Sequence, residues 1–255
     1  MAYKRLIAMV PVQDGQVVLS YGYTHHRPAG RLRSVLKNLD RWNVDEISVV
    51  DISRGLKEPD WRLLDEIRAS AVRTPVAFGG GIRRAEHAVR AIALGCDRVI
   101  VETLLWTSLT EIAAITSAVG QQAVIGATPL ALVNGKLHAS PAQGGPSVPW
   151  AQFHERVDEA AISEIMLIDR DHEGATDGNV VAGHVPPRAS GPQVIWFGGV
   201  TPGQAMQLFK RTDTVGVAFG NPFLRHELAA FQVRQQVAQG VGSAPLLRQV
   251  RPHAQ

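Results

Sequence analysis

Apolar positions along the chain follow two alternating periods. Short runs rich in β-branched residues read as strands: RLIAMVPV, EISVVDI, TPVAFGG, RVIVE, QAVIGAT, EIMLID, QVIWFGG and TVGVAFG. Between them, DWRLLDEIRAS, RAEHAVRAIALG and PGQAMQLFKR carry apolar residues three and four apart, the spacing of one helix face. Alternating strands and helices favour parallel pairing through right-handed crossovers. Eight such units in a chain of 255 residues predict an α/β fold, a closed (βα)8 TIM barrel.

An internal repeat sharpens this expectation. The second half echoes the first at an offset of about 118 residues, the distance from Asp51 in VVDIS to Asp169 in LIDRD. Within one residue of that offset, the glycines of FGGGI match those of FGGVT and the strand pattern RVIVET matches VGVAFG. That period is too long for a solenoid and suits two half-barrels. Residues 1–240 are assigned to one barrel, and 241–255, which lack a clear apolar period, to a frayed C-terminal tail.

Composition adds limits. No segment is apolar for long enough to span a bilayer, and the opening run is too short for a signal peptide, so a cytoplasmic protein without a membrane partner is expected. Cys96 is the single cysteine and lies in the apolar stretch ALGCDRVIV, where a small buried side chain is the simpler reading. A net charge of +3 with scattered arginines does not point to nucleic acid, whereas phosphorylated small molecules suit it. His25 and His26 are neighbours in the loop YTHHRPAG and rarely would both reach one ion, so neither a metal nor another cofactor is expected.

In a barrel the chemistry sits where the strands end, and both glycine clusters fall there. Glycine lets the main chain approach an anion closely, and the following helix directs its positive end toward it. Gly80 and Gly81 with Thr103 make one candidate phosphate site; Gly198, Gly199 and Gly220, with Gly174 from the loop DHEGATDGN, make the other. A ligand carrying phosphate at both ends fits this arrangement. At the opposite end, Arg5, Glu46, Arg98 and Glu164 stand at or near strand starts. Two bases and two acids pointing into a barrel end avoid a large desolvation cost by forming a ring of ion pairs. Such a ring suits a structural plug as well as an inlet.

These motifs, in order over almost the whole chain, resemble the cyclase subunit of imidazole glycerol phosphate synthase: YKRLI with QDGQVV, VDEISVVDI, FGGGIRRAEHA, GCDRVIVET, EIMLIDRD with EGATDG, and VIWFGGVT. The resemblance implies a barrel that takes ammonia from a glutaminase docked on its bottom face and delivers it to a phosphorylated ribonucleotide derivative at the top. It also implies that Arg5, Glu46, Arg98 and Glu164 form the ammonia gate, with Arg98 standing where the family has lysine. The family places acid-base carboxylates at the ends of strands 1 and 5. Here Pro11 and Thr128 are read at those positions, and Leu19 stands where the family has a loop lysine. Proline cannot titrate and threonine does not ionise near neutral pH. Asp51, Asp169, Asp171 and Glu173 are acids at the mouth that could replace the pair, and Asp51 and Asp169, with Thr128, are the candidates taken for catalysis. The pattern also resembles a branch of the family that feeds ammonia to acetamidino-sugar synthesis in surface polysaccharides. An ammonia-conducting subunit, a cyclase or lyase using other acids, and a non-catalytic activator of a glutaminase all remain open on the residues.

Overall fold

The computed structural model describes residues 4–241, so the tail assigned to 241–255 lies outside the described residues except for Val241, which ends the last helix. In chain order the strands are β1 (Arg5–Gln13), β2 (Gln16–Tyr21), β3 (His25–Gly30), β4 (Glu46–Asp51), β5 (Val76–Gly79), β6 (Arg98–Val101), β7 (Val124–Val133), β8 (Lys136–Ala139), β9 (Val148–Pro149), β10 (Glu164–Asp169), β11 (Gln193–Phe197) and β12 (Thr214–Phe219). The helices are α1 (Leu32–Arg41), α2 (Trp61–Ser70), α3 (Ala85–Ala93), α4 (Thr103–Thr107), α5 (Leu109–Val119), α6 (Trp150–Glu159), α7 (Pro202–Phe209), α8 (Asn221–Arg225) and α9 (Ala229–Val241).

Strands β1, β4, β5, β6, β7, β10, β11 and β12 pair in parallel in that order, and β12 returns to β1, closing the barrel. Each of the eight apolar runs overlaps one of these strands. Their side chains alternate between two cores. Leu6, Ala8, Val10 and Val12 of β1 face the helix layer, whereas Ile7 and Met9 join Ile100, Ile125, Ala127, Met166 and Ile195 in the lumen. The lumen is therefore packed with apolar side chains.

Three features depart from a uniform repeat. Strand β1 runs on into the antiparallel hairpin β2–β3, which takes in the YTHHRPAG segment read as a loop, and β7 into the hairpin with β8. Both begin at tight turns, Asp14-Gly15 and Asn134-Gly135, with all four residues at positive φ. That is the two-residue turn whose twist matches the flanking strands. The third departure lies between β10 and β11, where the connection holds only a three-residue 3-10 turn, Val181–Gly183. The segment that follows, HVPPRASGPQ, carries three prolines and a glycine, which remove backbone donors and disfavour a helix.

Helix α7 starts at a capping box. Thr201 Oγ1 accepts the Gln204 N–H at 3.2 Å, and Gln204 Oε1 accepts the Thr201 N–H at 3.4 Å and the Asn179 N–H at 2.8 Å. One cap thus orders both the helix and the loop after β10. Thr201→Ala is expected to lower stability by about 1 kcal/mol in urea unfolding.

Candidate functional site

The barrel opens at the C-terminal ends of its strands into a pocket enclosing about 1300 Å³ when its open mouth is included. Its walls include Pro11, Asp51, Gly80, Glu102, Glu173 and Tyr23. Strand alternation places Pro11 on the lumen side, in register with Val50 of β4. On β7 the lumen residues are Ile125 and Ala127, so the next inward position is Pro129, in register with Ile168. Pro129 is buried and lies at the repeat offset from Pro11.

This corrects the reading of Thr128. Its side chain faces the helix layer with Val124 and Leu130, is fully buried, and leaves its hydroxyl without a hydrogen-bond partner among the described residues. A shift of one residue along a strand exchanges its faces, and assigning the strand end from sequence gave the wrong one. Two prolines, related by the half-barrel repeat, therefore stand at the inward ends of β1 and β7.

The repeat aspartates occupy different surroundings. Asp51 lines the pocket, and its Oδ1 accepts the Ser53 N–H at 3.0 Å. Asp169 is 1% exposed and is not among the pocket walls. Its Oδ2 accepts the Val180 and Val181 N–H groups at 2.6 and 3.2 Å, and Oδ1 meets the His172 ring at 2.9 Å. That bond to Asp169 raises the His172 pKa. Asp169 thereby fastens the loop after β10.

The glycines follow these aspartates. A Cβ at Gly80 would stand 2.6 Å from Asp51 O, and one at Gly198 would stand 2.3 Å from Asp169 O; both backbones have positive φ. Close approach of neighbouring strand ends requires glycine there. Gly80, Gly81 and Thr103 line the pocket, whereas Gly174, Gly198, Gly199 and Gly220 do not. Gly220 nevertheless stands against Phe197, a pocket wall, and Asn221 Nδ2 donates to Ser20 O and Gly174 O at 2.8 and 3.2 Å.

Glu102 and Glu173 complete the acidic groups of the pocket. Glu102 was only the end of a strand pattern in the sequence, because nothing local separates a strand-end glutamate from a surface one. Burial raises the carboxyl pKa of both. Glu173 holds the hairpin β2–β3 over the barrel. Its Oε2 accepts the Ser20 hydroxyl at 2.9 Å and the Tyr23 N–H at 3.3 Å, while its carbonyl accepts the Gly22 N–H at 2.8 Å. Tyr23, at φ 62°, packs its ring against the lumen cluster, and burial, followed by the charges of Glu173 and Glu102, raises its phenol pKa. Leu19 is buried in the same hairpin.

His25 and His26 lie on β3 and not in a loop. His25 is exposed, whereas His26 borders the pocket with a pKa lowered by burial and by Arg54 and His25. No cluster among the described residues could hold a metal ion. Arg83 borders the pocket and donates to Leu56 O at 3.0 Å, while Arg84 donates to His87. Cys96 is buried, which pushes its thiol up to about 12. Among the described residues, no helix is long and apolar enough to cross a membrane.

At the opposite end, Arg5, Glu46, Arg98 and Glu164 each begin a barrel strand and close a ring. Arg5 meets Glu46 at 2.8 Å and Glu164 at 2.5 Å; Arg98 meets the same two oxygens at 3.4 and 2.7 Å. Burial raises the Glu46 pKa despite both arginines, and Glu46 with Glu164 keeps Arg5 above its ordinary value despite burial. Two positions above Glu46 on the lumen face, Ser48 is fully buried and its hydroxyl has no partner among the described residues.

The family model described as Histidine biosynthesis protein matches residues 5–229. A Pseudomonas aeruginosa protein, provisionally described as imidazole glycerol phosphate synthase subunit hisF2, is 27% identical over 236 residues, covering 89% of this chain and 92% of that protein. The imidazole glycerol phosphate synthase subunit HisF of Chlorobaculum parvum is 29% identical over 181 residues, 70% of this chain and 72% of its own length. The Pyrococcus furiosus subunit HisF is 30% identical over 185 residues, with the same two coverages.

Glu102 gives a pH test. Because its folded pKa lies above 4.5, the folded chain binds this proton more tightly than the unfolded chain does. Its contribution to stability then falls as pH rises from 4.5 through the folded pKa. Urea unfolding across that window should show wild type losing stability relative to Glu102→Gln as pH increases.

Proposed function

The chain belongs to the histidine biosynthesis protein family, as a relative of HisF of imidazole glycerol phosphate synthase, and on that premise we propose an ammonia-conducting role in a glutamine amidotransferase. A glutaminase docks on the bottom face, as the family resemblance implies. Ammonia passes the ring of Arg5, Glu46, Arg98 and Glu164 and crosses the lumen to the pocket. The observation that carries this reading is the ring itself, whose buried ion pairs stand at the bottom of the apolar lumen. Neutral ammonia avoids the ionic penalty that such a passage imposes on ammonium. A buried oxygen without a partner among the described residues, as at Ser48 Oγ and Glu46 Oε1, suits a small donor in transit.

At the pocket the acceptor is a phosphorylated small molecule or a group presented by a third enzyme. The half-site of Gly174, Gly198, Gly199 and Gly220 beside Phe197 is the proposed phosphate seat. A pair of strand-end carboxylates cannot run the cyclase reaction here, because prolines 11 and 129 hold no proton. A second reading, cyclase or lyase chemistry by other acids, is favoured by Asp51, Glu102 and Glu173 meeting in one pocket. Carboxylates in different surroundings can divide acid and base roles.

The tagged chain should co-purify with a glutaminase and accelerate its glutamine hydrolysis; a chain that does neither refutes the partnership. In the coupled system, Glu46→Gln should lower glutamine-driven product formation while leaving ammonium-driven formation intact. Loss of neither would remove the conducting role. For the second reading, the isolated chain is given the family's ribonucleotide substrate with ammonium at high pH. Little turnover is expected, and turnover matching an authentic family cyclase would assign the chemistry to the remaining acids.

A further inference from the structure

The two half-barrels differ at one pocket position. At the repeat offset, Glu102-Thr103 corresponds to Gly220-Asn221, so a carboxylate occupies in the first half the place that a glycine holds in the second. Glu102 lines the pocket together with Gly80, Gly81 and Thr103. Its oxygens take the donors available there: Oε1 accepts the Ala142 N–H at 2.9 Å, and Oε2 accepts the Thr103 hydroxyl at 3.2 Å. A phosphate arriving at this end would compete with Glu102 for Thr103 and meet its charge at short range. Asp51 and Glu173 add acidic groups to the same pocket. Arg54 and Arg83 also border the pocket, and Arg83 directs Nη2 to Leu56 O at 3.0 Å.

We propose that Glu102 is a specificity residue: it makes the β6 end of the pocket refuse phosphate and receive a neutral or cationic hydrogen-bond donor of the ligand. A carboxylate is an acceptor alone, so hydroxyl, amide and amine groups are the ones it rewards. The ligand then carries phosphate at one end at most, seated in the Gly220 half-site. This rests on the pocket being the ligand site, as proposed above, and not on ammonia passing through the barrel.

The test titrates inorganic phosphate into the isolated full chain and follows the backbone amide signals of Gly80, Gly81 and Thr103 by NMR. These signals report the first half-site separately from Gly198, Gly199 and Gly220. In Glu102→Gln and Glu102→Gly, the midpoint at the first half-site should fall by about tenfold or more relative to wild type, as removal of a unit charge beside an anion predicts. Wild-type signals that saturate at the same phosphate concentration as both variants would overturn the proposal. So would folded variants whose first half-site still ignores phosphate. A chain that conducts no ammonia would leave this result unaffected, so the two readings fail separately.

Discussion

Every barrel strand serves two cores at once, and this constraint organises the molecule. Successive side chains point to opposite faces, so residues that fill the lumen alternate with residues that hold the helix layer. On β1, Ile7 and Met9 belong to the lumen while Leu6, Ala8, Val10 and Val12 belong to the outer core. The same alternation directs Arg5, Glu46, Arg98 and Glu164 into one ring at the strand starts and carries Pro11 and Pro129 to the inward positions at the strand ends.

The two ends of the barrel consequently have different chemistry. At the bottom, four charges satisfy one another at distances of 2.5 to 3.4 Å, which offsets the cost of burying them. At the top, the carboxylates are held by hydrogen bonds to main chain and hydroxyls, and burial raises the pKa of Glu102 and Glu173. Glu173 also fastens the β2–β3 hairpin, so one acidic group of the pocket helps hold its cover, together with Asn221.

Half-barrel symmetry is kept where packing demands it and relaxed where the ligand side begins. The contacts of Gly80 with Asp51 and of Gly198 with Asp169 are equivalent, since both bring a glycine against the backbone of the preceding strand end. The aspartates themselves diverge: Asp51 borders the pocket, whereas Asp169 is consumed by Val180, Val181 and His172. Glu102 opposite Gly220 is a second divergence. Backbone geometry is fixed by strand closure, but a side chain facing the cavity is free of that requirement.

The sequence by itself determined the eight barrel strands, the predicted helices α2, α3 and α7, the half-barrel repeat and the family resemblance, because local periodicity and glycine spacing carry them directly. It also held an unused sign of both hairpins in Asp14-Gly15 and Asn134-Gly135, whose residues favour positive φ. The structure alone decided that Pro129, and not Thr128, faces the lumen, since strand parity depends on which neighbours fill the barrel. It alone brought Glu102 and Tyr23 to the pocket beside Glu173, and turned Asp169 away from it. Those outcomes depend on barrel closure and loop packing, which join residues far apart in the chain and leave no local period to read.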